Sequence, residues 1–573
     1  MRAVRVPMNS RKRKSEQIVF GGYSHTVQAQ EGSIWDQRNI SGRDFPYLRP
    51  IRTRPVWETA CNHGIFAHNA LGWVNGTELW YDGHLVGHVQ DNDKQFAVMG
   101  NRIVIWPDKA VLNASYKRLG VYGSVSALRQ AVPHPKEFDA YGIGNAAPYD
   151  LYAWDGKDWK FYAKELEPME RTRSFTGVQF RSGTYHGVKA DANTMVFGEN
   201  VEKLGFKEGD AVTIEGCSKH PENNKTAIIR EIEGTEIRFY EWAFKLDGDT
   251  GNVAYTEPGT ITLSRRVPEL DVICACDNRL WGAKDDTIYA SKLGDPMNFN
   301  VFDGLTTDSW FQATGTAGAF TGCIPYLGQP IFFKENFIFK IYGANAENFQ
   351  PSRSATMGVK RGAANSLAIA GETLYYLGTN GLVAYNGGIP QSAAEPFGTV
   401  RYRAATAGSD GRRLYLSMER ETGEQEVFCL DTATGLLCKE DDTKILNWCC
   451  FDGRLYGRKT NGRAEIFNQD EGDCPDSMVE FGDITEGTMD RKGIIRLQMR
   501  VLMQEQATLT IFIQYDSDGQ WRPIRTLTAT RKMSFYFPVR IARCDHWRLR
   551  LEGTGYWELQ QMGKEFFIGS GVH

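Results

Sequence analysis

The sequence predicts an all-β protein. Its largest part is expected to be a β-propeller, with a small β-barrel or sandwich inserted in it and a β-sandwich at the C-terminal end. Paired short apolar strands recur around tight polar turns, and the last four pairs start about 40 residues apart, the period of a four-stranded propeller blade. The 59 glycines and the scarcity of apolar residues at helical spacing also favour strands and turns.

Seven strand pairs carry the propeller prediction. Branched and aromatic residues fill their flanks because such side chains suit a half-buried pleated surface. Asn-Gly pairs at Asn75, Asn380 and Asn461 provide the positive φ that tight hairpin turns require. Seven copies predict seven blades. The segments are 71–83, 96–108, 280–291, 332–343, 374–388, 414–431 and 455–468.

Two breaks in this pattern predict further domains. About 184 residues separate the starts of the second and third hairpins, which is far more than one blade needs, so an inserted β domain is expected there. Near Met478 the pattern gives way to longer alternating strands, which favour a β-sandwich. The predicted regions are an N-terminal arm with the first strands (1–50), the propeller in two parts (51–169 and 268–477), the inserted domain (170–267) and the sandwich (478–573).

The charge distribution singles out the start of the chain. A formal net charge of −4 argues against a nucleic-acid-coating protein, which would carry a basic excess. A basic arm begins at Arg2 and includes Arg11, Lys12, Arg13 and Lys14. One interpretation is a solvated chain end, and the other is a docking arm for an acidic partner or nucleic acid.

Neither a membrane segment nor a disulfide framework is predicted. The basic start lacks the apolar core of a secretory signal, and no run of about 18 apolar residues follows, so synthesis in a cytoplasm is expected. The 11 cysteines are odd in number, and neither Cys274-x-Cys276 nor Cys449-Cys450 has zinc or redox spacing. Buried thiols are expected.

Catalytic and metal-binding signatures are missing from the sequence. It contains no HExxH, GxSxG, Walker loop or paired CxxC motif, so no enzyme activity, cofactor or metal is predicted. Two histidine pairs, His63 with His68 and His84 with His88, could approach one another but have no third ligand nearby.

Two carboxylate-bearing loops share some features with calcium sites. Asp247 with Asp249 and Asp516 with Asp518 lie on Gly-containing turns, but neither stretch continues to the distal Glu of an EF-hand. The second also faintly resembles the Asp-box of sialidase propellers. Plain turns are the favoured interpretation of both.

Two alternative functions stay open from the residues alone. The carboxylates of a glycosidase come from distant segments, so sequence motifs cannot exclude a propeller enzyme. A carbohydrate- or receptor-binding protein would expose aromatic rings for stacking, although alternating aromatics are more often core residues. The candidate stacking residues are Trp73, Trp80, Trp154, Trp159 and Trp242.

A family resemblance rests on five segments that span nearly the whole chain, namely 20–41, 265–310, 318–343, 374–390 and 541–571. These segments resemble phage virion propeller proteins encoded among tail genes. More distantly, the architecture is similar to the tail nozzle and the tail-hub or head-stabilisation proteins of short-tailed phages.

The resemblance implies a structural virion protein of the phage tail. Several copies would form a ring, with a hexamer as one candidate count, that continues the DNA exit channel. Other tail or portal-proximal proteins would be its neighbours, and DNA would pass without sequence-specific binding. Assembly would take place in the host cytoplasm. No catalytic residue is carried over, and basic spots such as Arg412 and Arg413 would be docking contacts or solvated surface.

Overall fold

The computed structural model describes residues 12–26, 29–44, 46–185, 188–240, 244–247, 254–540 and 542–568. Over these residues the protein is all-β, as predicted, with strands paired antiparallel in all but one pair and a single α-helix. The chain forms two compact units, one of residues 1–62 with 362–573 and the other of residues 63–361. None of the helices described has the length and apolar character needed to cross a membrane.

Three strands precede the second unit in the chain but belong to the first. They are β1 (Lys12–Ile18), β2 (Ile34–Arg38) and β3 (Val56–Trp57).

The unit of residues 63–361 begins with two four-stranded sheets, and a small sheet is inserted in the second. The first sheet has the order β4-β5-β6-β7, and the second has the order β15-β10-β9-β8. The strands are β4 (Gly64–His68), β5 (Ala70–Asn75), β6 (Glu78–Tyr81), β7 (His84–His88), β8 (Gln95–Met99), β9 (Arg102–Trp106), β10 (Ala110–Asn113), β11 (Arg118–Tyr122), β12 (Ala140–Ile143), β13 (Asp150–Trp154), β14 (Trp159–Lys164) and β15 (Leu166–Pro168).

The inserted small sheet, of order β11-β12-β13-β14, lies in the chain between β10 and β15, and β11 pairs parallel with β12. The helix α1 (Val125–Ala131) makes this parallel connection. Its first turn is capped by the Ser124 hydroxyl, which accepts a hydrogen bond from the Ala127 N–H at 3.2 Å. The hairpin pattern gave no sign of this sheet within the stretch 51–169.

An eight-stranded sheet follows, with its own apolar core. Its order is β16-β23-β19-β20-β21-β18-β17-β22, and Phe180, Ile214, Ile237 and Leu263 lie in the core. Gly234, at the turn between β20 and β21, has a φ of +57°, a left-handed conformation that suits a tight hairpin turn. The strands are β16 (Arg171–Thr176), β17 (Gln179–Tyr185), β18 (Val188–Val196), β19 (Ala211–Glu215), β20 (Thr226–Glu233), β21 (Glu236–Phe239), β22 (Ala254–Thr256) and β23 (Thr260–Arg265).

Two four-stranded antiparallel sheets complete this unit, each with its strands in chain order. The strands are β24 (Val272–Cys276), β25 (Arg279–Lys284), β26 (Thr287–Ala290) and β27 (Trp310–Ala313), then β28 (Gly322–Tyr326), β29 (Gln329–Lys334), β30 (Phe337–Tyr342) and β31 (Gln350–Ala355).

The other unit contains four four-stranded sheets. Residues 368–466 supply three of them, and the third of these also includes a strand from near the start of the chain. The first two run in chain order, whereas the third has the order β3-β42-β41-β40. The strands are β32 (Ala368–Ala370), β33 (Thr373–Gly378), β34 (Gly381–Tyr385), β35 (Gln391–Ser392), β36 (Tyr402–Ser409), β37 (Arg413–Arg420), β38 (Gln425–Asp431), β39 (Leu436–Asp441), β40 (Ile445–Phe451), β41 (Arg454–Lys459) and β42 (Ala464–Ile466).

Two further sheets in this unit share one apolar core that includes Ile34, Leu497, Ile511, Trp547 and Leu559. Their orders are β1-β49-β44-β47 and β2-β43-β48-β45-β46, so each contains one N-terminal strand. The strands are β43 (Ser477–Phe481), β44 (Lys492–Met503), β45 (Thr508–Tyr515), β46 (Arg522–Leu527), β47 (Met533–Pro538), β48 (Trp547–Thr554) and β49 (Trp557–Ile568). Short 3-10 turns lie at Pro221–Asn223, Ala346–Asn348, Ala364–Ser366 and Glu395–Phe397.

The seven predicted hairpins are all antiparallel strand pairs in four-stranded sheets. Glycines at the three Asn-Gly turns have positive φ, +58° at Gly76, +117° at Gly381 and +76° at Gly462, which confirms the turn prediction. The pairs are β5–β6, β8–β9, β25–β26, β29–β30, β33–β34, β37–β38 and β41–β42.

Candidate functional site

The structure describes only part of the predicted basic arm. Arg11 lies outside the described residues. The backbone of Lys12, Arg13 and Lys14 belongs to β1 and pairs with β49, where Lys12 lies opposite Ile568. These three residues are therefore part of a sheet rather than a free arm, and their docking role stays a prediction.

A buried ion cluster holds the N-terminal segment just before β3. Arg54 is 7% exposed, and its guanidinium donates to Glu440 at 2.8 Å and to Asp441 at 2.5 Å. The same guanidinium lies 3.8 Å from the centre of the Phe467 ring. Burial opposes the charge of Arg54, but Asp441 and Glu440 outweigh it and raise the Arg54 pKa above its ordinary value. We call these residues the Arg54 site.

Aromatic side chains cover one face of the small sheet β11–β14. Trp154 lies opposite Trp159 in the strand register, and their ring centres are 5.4 Å apart. Tyr141 lies 5.5 Å from Trp159 and 5.5 Å from Tyr122. Trp159 is buried, whereas the other three rings are half-buried. The sequence singled out the two tryptophans but not the tyrosines, because their shared face depends on the missed sheet.

The other predicted stacking residues behave differently. Trp73 and Trp80 lie opposite one another on β5 and β6, with ring planes 3° apart and centres separated by 5.9 Å. Both are half-buried. Trp242 lies outside the described residues.

A cavity of about 300 Å³ opens beside the outer strand β27. Phe302, Trp310 and Phe311 contribute aromatic rings to its lining, and Asp308 and Glu347 contribute carboxylates. Phe302 and Phe311 are 53% and 57% exposed, and their ring centres lie 5.6 Å apart. We call this the Phe311 cavity. The sequence pattern does not indicate this cavity, because loop 302–309 meets the Ala346–Asn348 turn only in the fold.

One of the two carboxylate loops gathers a cluster that the sequence did not predict. Asp516, Asp545 and His546 place potential ligand atoms within 4.8 Å of one another. Asp516 accepts a hydrogen bond from the Asp545 N–H at 2.8 Å, and the carboxylate of Asp545 contacts the His546 ring. Burial opposes ionisation of Asp545, but hydrogen bonds to Asp516 and His546 hold its pKa below the usual range. The two aspartates are exposed.

Among the described residues, the other carboxylate loop and the two histidine pairs do not form a metal site. Asp249 lies outside the described residues, and Asp247 pairs with His220 at 2.9 Å. His84 and His88 occupy the two ends of β7, about 13 Å apart at the rise of an extended strand. The two histidines, which the sequence alone would allow to approach one another, are therefore held apart.

His63 and His68 are separated in the same way. His63 immediately precedes β4 and His68 ends it. His63 lies 2.6 Å from Asp91 instead.

The cysteines are mostly buried and all are free thiols, as expected from their spacing; Cys450 is exposed. Burial raises the pKa of Cys61 to about 11. A thiol with so high a pKa is a poor nucleophile near neutral pH.

Comparisons with known proteins add no family. No family model matches the chain, and no curated protein matches it. Among solved structures, PorZ of the Porphyromonas gingivalis type IX secretion system is 11% identical, covering 93% of this chain and 81% of its own, with a TM-score of 0.25.

Two further structures are similarly distant. An exo-β-1,3-galactanase from Phanerochaete chrysosporium is 7% identical over 51% of this chain and 94% of its own, with a TM-score of 0.21. The extracellular domain of a hybrid two-component system from B. thetaiotaomicron is 9% identical over 93% and 99%, with a TM-score of 0.18. None of the three is named as a phage tail protein.

Proposed function

We propose that this chain is a non-catalytic structural protein of a phage tail, assembled in the host cytoplasm as a homo-oligomeric ring that continues the DNA exit channel. The seven four-stranded sheets built on the predicted hairpins are then the blades of one propeller. The eight-stranded sheet and the C-terminal sandwich dock neighbouring copies, other tail proteins or portal-proximal proteins. DNA passes through the ring without sequence-specific binding.

The observation that carries the proposal is the placement of the N-terminal strands. β1 and β2 each complete one sheet of the C-terminal sandwich, and β3 completes the sheet of β40–β42. Residues 12–57 therefore join two parts of the fold that lie more than 400 residues later in the chain. A strand held by backbone hydrogen bonds and a buried ion cluster resists being pulled out of a sheet. Such closure suits a component that bears load while a genome passes.

Imaging of the virus particle tests this proposal. Cryo-electron microscopy of particles that contain the chain should show copies arranged as a ring coaxial with the tail. Native mass spectrometry of the purified protein should give a closed oligomer rather than a monomer. Absence of the chain from the particle, or its presence only at peripheral sites, would contradict the proposal.

A glycan-binding tail protein is the second candidate, and the aromatic face of β11–β14 favours it. Tyr122 and Tyr141 are half-buried rings with centres 5.5 Å apart. The buried Trp159 lies next to Tyr141 and to the half-buried Trp154, at 5.5 and 5.4 Å. Replacing Trp154 by Ala should then abolish binding of host-surface oligosaccharides on an array, whereas Leu327→Ala, a change at an exposed residue off this face, should not. Equal binding by both variants, or none by the wild type, would exclude this candidate.

A further inference from the structure

The Phe311 cavity has the features of an interaction site rather than of a packing defect. Phe302, Leu305 and Phe311 are large apolar side chains that stay 53%, 56% and 57% exposed. They stand side by side around one opening, and Trp310 forms part of the wall. Clustered exposed apolar surface is costly in water and marks surfaces that a partner covers. Phe311 also borders a second cavity of about 420 Å³, so the exposed apolar surface extends beyond the first.

The charge in the cavity determines what kind of group fits it. Asp308 is 4% exposed, and its Oδ2 accepts hydrogen bonds from the N–H groups of Gly304 and Leu305 at 2.8 and 3.1 Å. Its Oδ1 has no hydrogen-bond partner among the described residues. Glu347 is exposed on the rim and forms no ion pair within the described chain.

No ion pair in the described chain joins these carboxylates to a basic residue, although Arg279 attracts Asp308 electrostatically. Arg279 donates to the backbone carbonyls of Ser291, Asp308 and Thr306 rather than to a carboxylate. Arg266 lines the second cavity and is paired with Glu215 at 2.8 Å. An aromatic wall beside the exposed carboxylate of Glu347, with the buried Asp308 adding negative charge, favours a cation with an apolar stem, which describes an arginine side chain.

The Arg54 site shows this recognition within the same molecule. There a guanidinium stacks on one aromatic ring and donates to two carboxylates. The Phe311 cavity offers the same two kinds of partner, rings and carboxylates, without a described arginine side chain in contact with its carboxylates.

We propose that the Phe311 cavity binds an arginine side chain from residues 1–11 of a neighbouring copy. This segment carries Arg2, Arg5 and Arg11 and no acidic residue, in a chain whose net charge is −4. Val4, Val6, Pro7 and Met8 can cover the exposed rings. A cyclic ring needs two different surfaces that meet at every interface, and this pair is complementary in both charge and apolar character. The inference rests on the proposed ring and names one of its contacts.

Photo-cross-linking in the full-length chain tests the contact. Leu305, which is exposed on the cavity, is replaced by p-benzoylphenylalanine, and equal amounts of isotope-labelled and unlabelled protein are mixed before irradiation. Mass spectrometry should find peptides from residues 1–11 joined to the loop of residues 302–309, with one partner labelled and the other not. Labelled–unlabelled pairs identify a contact between copies.

Charge variants give the test its control. Glu347→Arg should lower the yield of this cross-link about fivefold to tenfold, since it replaces an attraction by a repulsion. Glu137→Arg changes an exposed carboxylate that does not line the cavity and should leave the yield unchanged. Simultaneous replacement of Arg2, Arg5 and Arg11 by Ser should abolish the cross-link.

Three results would overturn the inference. They are cross-links only within one copy, cross-links to a different segment, and a yield that Glu347→Arg leaves unchanged. Failure here is distinguishable from failure of the proposed function. A coaxial ring in the particle without this cross-link refutes the contact alone, whereas a cross-link without any ring in the particle refutes the tail function.

Discussion

The Arg54 site and the Phe311 cavity use the same chemistry in opposite ways. Arg54 is 7% exposed and lies between two carboxylates and the Phe467 ring. In the Phe311 cavity, the rings of Phe302 and Phe311 remain more than half exposed. The first arrangement is completed by the chain itself and fixes its N-terminal segment. The second is available to a partner. A buried aromatic ring therefore marks residues that stabilise this fold, whereas an exposed ring marks residues that can contact a partner.

The largest effect is expected at the Arg54 site. Arg54→Met should lower the free energy of unfolding by about 3–5 kcal/mol, because it leaves the buried carboxylate of Glu440 without its cation. Urea denaturation followed by tryptophan fluorescence measures the change. Arg463→Met is the matched control, since Arg463 pairs with Glu58 at 2.6 Å at an exposed position and should cost less than about 1 kcal/mol. Equal losses in the two variants would contradict the assigned role of burial.

A smaller loss is expected where the N-terminal segment passes over β38 and β39. A Cβ atom added at Gly42 would lie 2.8 Å from the Cβ of Cys438 and 3.1 Å from that of Cys429. Gly42→Ala should therefore destabilise the protein by about 1–3 kcal/mol through overpacking. Thermal unfolding measures the effect. Gly411 is not a suitable control position, because its φ is positive. Gly198→Ala is suitable, since the added Cβ atom would lie in open space, and it should change the stability little. A neutral Gly42→Ala variant would mean that this segment is packed loosely.

The ion pair between Lys334 and Asp286 should make the stability of the protein depend on pH, because it is only partly buried. Lys334 is 1% exposed and donates to Asp286 at 2.9 Å, while the Asp286 side chain is 39% exposed. Burial opposes ionisation of Asp286, but hydrogen bonds from Thr314 and Lys334 outweigh it and lower its pKa to about 2.

The sign of this effect follows from the lowered pKa. The ionised form of Asp286 is favoured by folding, so its contribution is present above pH 4 and is lost as the pH falls from about 4 to 2. Partial exposure limits the contribution to about 1 kcal/mol. The stability difference between the wild type and Asp286→Asn should shrink over this range in urea titrations at successive pH values. A constant difference would assign the stabilisation to packing instead.

Local features of this fold could be predicted from the sequence. Each hairpin brings together residues close in the chain, and Gly76 or Gly462 adopts the positive φ that its Asn-Gly turn demands. Strands such as β20 and β45 follow from the alternation of apolar and polar residues in the same way. These elements are encoded by neighbours within about 20 residues, so period and turn chemistry are sufficient to find them.

Partners distant in sequence could not be predicted. The pairing of Lys12 with Ile568 and of Trp57 with Ala464 joins segments whose own patterns do not specify one another. The sheet β11–β14 was missed because its parallel pair is joined by a helix instead of a tight turn. The Phe311 cavity was missed for a related reason. Its carboxylates at Asp308 and Glu347 come together only through the packing of two loops.

The smallest effect on stability is expected at the Phe311 cavity. Phe311→Ala removes a ring that is 57% exposed on an outer strand, so unfolding should change by less than about 1 kcal/mol. Phe332→Ala removes a fully buried ring from the neighbouring sheet β28–β31 and should cost about 3–5 kcal/mol. Urea denaturation of the two variants compares the loss of a phenyl ring at a buried position with the same loss at an exposed position. If Phe311→Ala were as damaging as Phe332→Ala, the ring would serve the fold of the single chain. A stable Phe311→Ala protein whose oligomer dissociates more readily in sedimentation experiments would instead assign the ring to contacts between copies.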